Sequence, residues 1–118
     1  MRVVVTGSRH VLADKADIVF RRLDRLHARR RIRALATGDG SGIDALAEEW
    51  AVSHNITAER FTANWREFGK KAGPIRNRRM LDEFKPDLVI AFPGGVGTAD
   101  CVKAAKQRGI RTVYAELR

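Results

Sequence analysis

The 118-residue sequence predicts an α/β fold: one doubly wound parallel sheet of five strands in the order 3-2-1-4-5. Short apolar runs alternate with helix-period segments along the whole chain, the pattern of a parallel sheet covered by helices on both faces. Residues 88–92, Leu-Val-Ile-Ala-Phe, are apolar without alternation, as a central strand buried on both sides requires. Right-handed crossovers then place strands 1 and 4 side by side, where the direction of winding reverses. The expected architecture is Rossmann-like.

Arg2–Thr6 forms the first strand, and Gly7-Ser8-Arg9-His10 its exit loop. Asp14 reads as the cap of a helix reaching about Arg31, with Asp17 in its first turn complementing the dipole. Leu12, Ala16, Val19, Phe20, Leu23 and Leu26 make its apolar stripe. Arg33–Thr37 is a short second strand, followed by the glycine-rich segment 38–42. The next helix runs to about His54, with Ile43, Leu46, Ala47, Trp50 and Ala51 on one face. Thr57–Phe61 is the third strand, and Ala63 to Ala72 a polar connection carrying Trp65 and Phe68. Gly73-Pro74 opens a helix over Ile75–Phe84, with proline in the first turn, where it is tolerated. Leu88–Phe92 is the fourth strand, which Pro93 ends because it cannot donate to a ladder. Thr98 reads as the N-cap of a helix to Arg108, which Gly109 stops, and Ile110–Ala115 is the fifth strand.

The length suits one domain over residues 1–118. The single cysteine, Cys101, excludes an internal disulfide and a cysteine-rich metal site, and no His spacing suits a metal. Val3–Val5 is too short for a leader and no stretch approaches a membrane span, so a cytoplasmic location is expected. The net charge of +9 is concentrated in Arg21, Arg22, Arg25, Arg29, Arg30, Arg31 and Arg33, against Asp24 alone. Such a run is ordinarily a solvated helix face; the alternative is a surface that attracts nucleic acid or an anionic ligand.

Ligands of open α/β sheets bind beyond the carboxyl ends of the strands, at the switch between strands 1 and 4. The loops meeting there are Gly7-Ser8-Arg9 and Pro93 to Thr98, with the glycine loop after strand 2 beside them. Gly94, Gly95 and Gly97 let backbone approach a ligand closely, and a helix start is an anion site. Arg9 can fork onto a phosphate, and Ser8 adds a hydroxyl and an N–H. Gly40 and Ser41 belong to the second glycine loop. Asp44 can bond a ribose hydroxyl or simply satisfy helix N–H groups. Arg76 and Asn77, near a helix start, are further ligand candidates, whereas Arg79 is expected to face solvent. The candidate acids are Asp39, Glu67 and Asp100; Asp100 either serves the ligand or complements the helix dipole. Trp65 can stack on a base or pack over the sheet. There is no GxxxxGK[ST] loop, which argues against P-loop chemistry.

Pro93-Gly94-Gly95-Val96-Gly97-Thr98 resembles the PGGxGT signature of the Lonely-guy cytokinin phosphoribohydrolases. Gly7-Ser8-Arg9, the Gly38…Gly42-Ile43-Asp44 segment and Arg76-Asn77-Arg78 are similar to motifs of the DprA/Smf proteins. Both are branches of the SLOG superfamily of Rossmann-like nucleotide-binding domains. With Trp65, Ala72-Gly73-Pro74-Ile75-Arg76-Asn77 and Met80-Leu81 added, the chain most resembles the small YspA-like, YpsA-related SLOG family. The resemblance implies a nucleotide-type small-molecule ligand and a homodimer, with no cofactor beyond that ligand. Its Lonely-guy branch implies N-glycosidic hydrolysis of a nucleoside monophosphate, and its DprA branch implies single-stranded nucleic acid. The Lonely-guy pattern carries a catalytic Glu where this chain has Cys101; Asp100, one residue earlier, is rotated by about 100° on a helix. The leading expectation is therefore nucleotide binding. Phosphoribohydrolase activity is expected to be weak or absent, and any nucleic-acid binding weak and nonspecific.

Overall fold

The computed structural model describes residues 1–11 and 13–118; Leu12, assigned above to an apolar stripe, lies outside them. Five parallel strands, β1 (Arg2–Thr6), β2 (Ala34–Thr37), β3 (Thr57–Arg60), β4 (Leu88–Ala91) and β5 (Arg111–Tyr114), form one sheet. Their order is β3-β2-β1-β4-β5, as the sequence predicts. β1 pairs with β2 through Val3 and Leu35, and with β4 through Val4 and Val89.

The period of two along each strand divides the core into two layers. Val3, Val5, Leu35, Leu88 and Ile90 face α1 (Ala16–Arg29) and α2 (Ile43–Ser53), where they pack with Val19, Leu23, Ala47 and Trp50. Val4, Ala36 and Val89 face α4 (Ala72–Phe84) and α5 (Val96–Gln107), packing with Met80, Leu81, Phe84, Cys101 and Ala104. Trp50 is held between the first pair of helices: its indole N–H donates to Asp24 at 2.8 Å and His54 stacks on it at 4.3 Å.

Beyond one-residue shifts at the ends of β2 to β5 and of the helices at Ser53 and Gln107, four features differ from the sequence reading, each for a local reason. Asp14 does not cap α1; it lies in a 3-10 turn over Ala13–Lys15, and Lys15 occupies the N-cap. That tightened entry delays the α-helix past its polar signal. α1 ends at Arg29 rather than Arg31 because Ile32 is buried and the chain must turn inward to deliver it. The Ile32 N–H donates to His27 Nδ1 at 2.9 Å in that turn. The connection after β3 contains a short helix, α3 (Trp65–Phe68), and α4 begins at Ala72. Asn64 caps α3 reciprocally, accepting from the Glu67 N–H at 3.1 Å and donating to its carboxylate at 2.9 Å. The Asn-x-x-Glu spacing resembles a capping box, but here the Glu67 carboxylate meets the Asn64 side-chain amide rather than its backbone N–H. Finally, α5 starts at Val96 with Gly95, not Thr98, at the N-cap. The Thr98 side chain instead folds back onto Gly94, occupying the space a β-carbon there would need. No described helix is long and apolar enough to cross a membrane.

Candidate functional site

A cavity of about 480 Å³ opens at the carboxyl edge of β1 and β4, the winding switch of the sheet. The β1 exit loop contributes Gly7, Ser8 and Arg9; the loop after β2 contributes Gly38, Asp39 and Gly40, and α2 adds Asp44. Arg76 and Asn77 come from α4, and Gly95, Gly97, Thr98 and Asp100 from the start of α5. Four residues singled out in the sequence do not line it. Ser41 is exposed and its hydroxyl donates to the Arg9 carbonyl at 3.1 Å. Pro93 accepts the Ser8 N–H at 2.9 Å, and Gly94 is pressed against that same nitrogen, so this pair joins the two loops. Glu67, read as a candidate acid, is exposed and committed to the α3 cap.

The loops interlock through backbone. The Ile43 N–H donates to the Ser8 carbonyl at 2.9 Å, and a β-carbon at Gly42 would collide with that carbonyl oxygen. Glycine is required there by close approach rather than by torsion.

A polar chain runs along the α4 side of the cavity. Arg76, with Asn77 one of few buried polar residues, donates to Asp39 at 2.8 Å and to the side-chain Oδ1 of Asn77 at 3.0 Å. Asn77 in turn donates to the Gly97 carbonyl and to Asp100, both at 3.1 Å. Arg78 closes the chain on Asp100 at 3.0 Å. Burial pushes Asp39 upward, but hydrogen bonds from the Ala63 N–H and Arg76 outweigh it and leave the carboxyl below its ordinary range. Asp100 behaves alike: burial raises it, while Arg78 and Asn77 bring the net result down.

Asp44 is the exception among these acids. Burial dominates and lifts it to about 6, against the opposing Gly40 N–H, which donates at 3.0 Å, and the charge of Arg76. It lies in none of the ion pairs among the described residues. At the mouth, Arg9 lies over the Trp65 ring at 5.1 Å, and the far edge of that indole packs on Gly73. Lys70 also lines the cavity. It follows Gly69 and precedes Lys71 in a 3-10 turn, a basic pair that belongs to no ligand motif. Arg79 is exposed, as expected.

A parallel α/β sheet with a cavity and glycine loops at its switch point defines a Rossmann-like domain. The chain belongs to the YspA, cpYpsA-related SLOG family (YAcAr), whose model matches residues 1–68. It is similar to the Gene 61 protein of Mycobacterium phage D29, at 35% identity over 119 residues, covering 95% of this chain and 94% of that protein. Among solved structures it resembles DNA processing protein A from Helicobacter pylori, described for its single-stranded DNA binding mode, with a TM-score of 0.72. That likeness covers 97% of this chain but 64% of the other, at 14% identity, and is a likeness of fold.

Proposed function

We propose that this protein binds a nucleotide or nucleotide-derived small molecule, with its phosphate at the first turn of α5. The observation that carries this reading is the open start of that helix. The Val96, Gly97 and Thr98 N–H groups have no intrahelical acceptors, and nothing lies within 4 Å of where a side chain on Gly95 or Gly97 would begin. Arg9 and Lys70, neither ion-paired among the described residues, supply counter-charge. The cavity volume falls in the ordinary range for small-molecule sites. Asp44, whose second carboxylate oxygen has no partner among the described residues, accepts from a ribose hydroxyl.

The test is calorimetric titration with a panel of nucleoside 5′-monophosphates, using the wild type and Gly95→Val. Gly95 has room for a side chain, so the variant stays folded, losing about 1 kcal/mol at the N-cap, while its side chain fills the phosphate position. Binding abolished in a folded variant is the expected result; unchanged affinity defeats the proposal.

A further inference from the structure

The seven arginines between positions 21 and 33 stand apart electrostatically from most of the arginines elsewhere. Arg60, Arg76, Arg78, Arg79, Arg108 and Arg118 each have a carboxylate partner. None of the seven does among the described residues, and all but Arg22 are exposed. The one acid within the run, Asp24, is turned away: it accepts the Trp50 indole N–H at 2.8 Å and lies 3.3 Å from His54. Asp14 and Asp17 sit at the opposite end of the helix. Arg21, Arg25 and Arg29 recur every four residues, so their positions rise by about 6 Å per step along one slowly turning face.

This face is remote from the cavity. α1 leaves β1 at the carboxyl edge and returns to β2 at Ala34, which pairs with Arg2 at the amino edge, so Arg29 to Arg33 lie at the far end of the sheet. We infer that the exposed α1 face, with the Arg30–Arg33 segment, is a second binding surface, for the phosphate backbone of duplex nucleic acid. Charge complementarity selects a polyanion. A convex helix face with no exposed aromatic beside it lacks the stacking platforms that single strands use. A duplex presents the denser phosphate charge, and arginines on such a face touch phosphates without reading bases.

The experiment is fluorescence anisotropy with two fluorescein-labelled DNA duplexes of unrelated mixed sequence and the separated strand of one, from 50 to 200 mM salt. Wild type, Arg21→Gln/Arg25→Gln/Arg29→Gln and Arg9→Ala are compared, with folding checked by circular dichroism. If four arginines contact phosphates, the log–log slope is about −3.6 and affinity falls roughly a hundredfold across that range. The triple variant should lose about 2.7 of that slope. Arg9→Ala, which disturbs the cavity alone, should bind duplex like the wild type, so this surface and the nucleotide site fail independently. If the triple variant proves misfolded, Arg30→Gln/Arg31→Gln/Arg33→Gln provides the same readout outside the helix. Tighter binding to the single strand, loss through Arg9→Ala, a sequence preference surviving 200 mM salt, or no binding at 50 mM salt each overturns the inference.

Discussion

Asp100 and Cys101 are consecutive on α5 and occupy opposite environments: Asp100 lines the cavity, whereas Cys101 is buried against Met80 and Leu81. Burial pushes the Cys101 thiol up to about 12, so it is a neutral core residue. The position at which the Lonely-guy pattern carries its glutamate therefore points into the interior of this protein. Asp100 reaches the cavity only as the ionised partner of Arg78 and Asn77.

The first prediction concerns turnover. Base release from nucleoside 5′-monophosphates should not exceed background, and Asp100→Asn should leave that unchanged. A carboxylate held low and already bonded has no proton to donate at neutral pH. Cys101→Glu should not restore activity; it should unfold or strongly destabilise the protein by placing a charge between α4 and α5. Chromatographic detection of free base decides the matter, and robust release that Asp100→Asn abolishes would place the protein among the hydrolases.

The second prediction concerns pH. Asp44 has a folded-state value of about 6, above its unfolded one, so its ionisation destabilises the fold as pH rises through 6. At pH 7 this costs on the order of 2–3 kcal/mol. Asp44→Asn should therefore raise stability by roughly that amount at pH 7–8, with the gain vanishing below about pH 4. Denaturant melts across this range measure it. The same variant should erase any preference for ribo- over 2′-deoxyribonucleotides, and wild-type preference should weaken below pH 6. The affinity ratio is the right readout, because the phosphate of both ligands titrates in the same window.

The third prediction concerns the Asp39–Arg76 pair. Asp39→Ala leaves a nearly buried guanidinium without its carboxylate and should cost about 2–4 kcal/mol in chemical denaturation. Because Asp39 is held below its ordinary range, the stability it supplies is present at neutral pH and fades as pH falls through its folded value. The wild-type and Asp39→Ala curves should converge in acid. Parallel curves would remove the pair from the stability of the site.

The layered core was legible because β-strand alternation is local: Val3 and Val5 against Val4 already assign two faces. The sheet order followed from crossover handedness, which leaves few topologies. Helix starts were less legible, since Asp14 and Thr98 are both good caps in isolation and the backbone used neither. A 3-10 turn decides the first; for the second, Thr98 folds onto Gly94, a contact that only the assembled loops create. Within the site, residues on glycine loops could be nominated from spacing. The bond between Arg76 and Asp39 joins residues 37 apart, and no local pattern encodes that partnership. Asp44 could be named from its place at a helix start, but its elevated titration depends on how deeply three segments enclose it.

The two tryptophans hold contrasting stations. Trp50 is sealed between helices, tied to Asp24 and stacked on His54, whereas Trp65 stands half-open at the cavity mouth beneath Arg9. Intrinsic fluorescence of this protein thus divides into a constant interior emitter and a solvent-sensitive one on the rim. A molecule entering the cavity changes the emission wavelength through Trp65 alone, which gives the unlabelled protein its own optical gauge of occupancy.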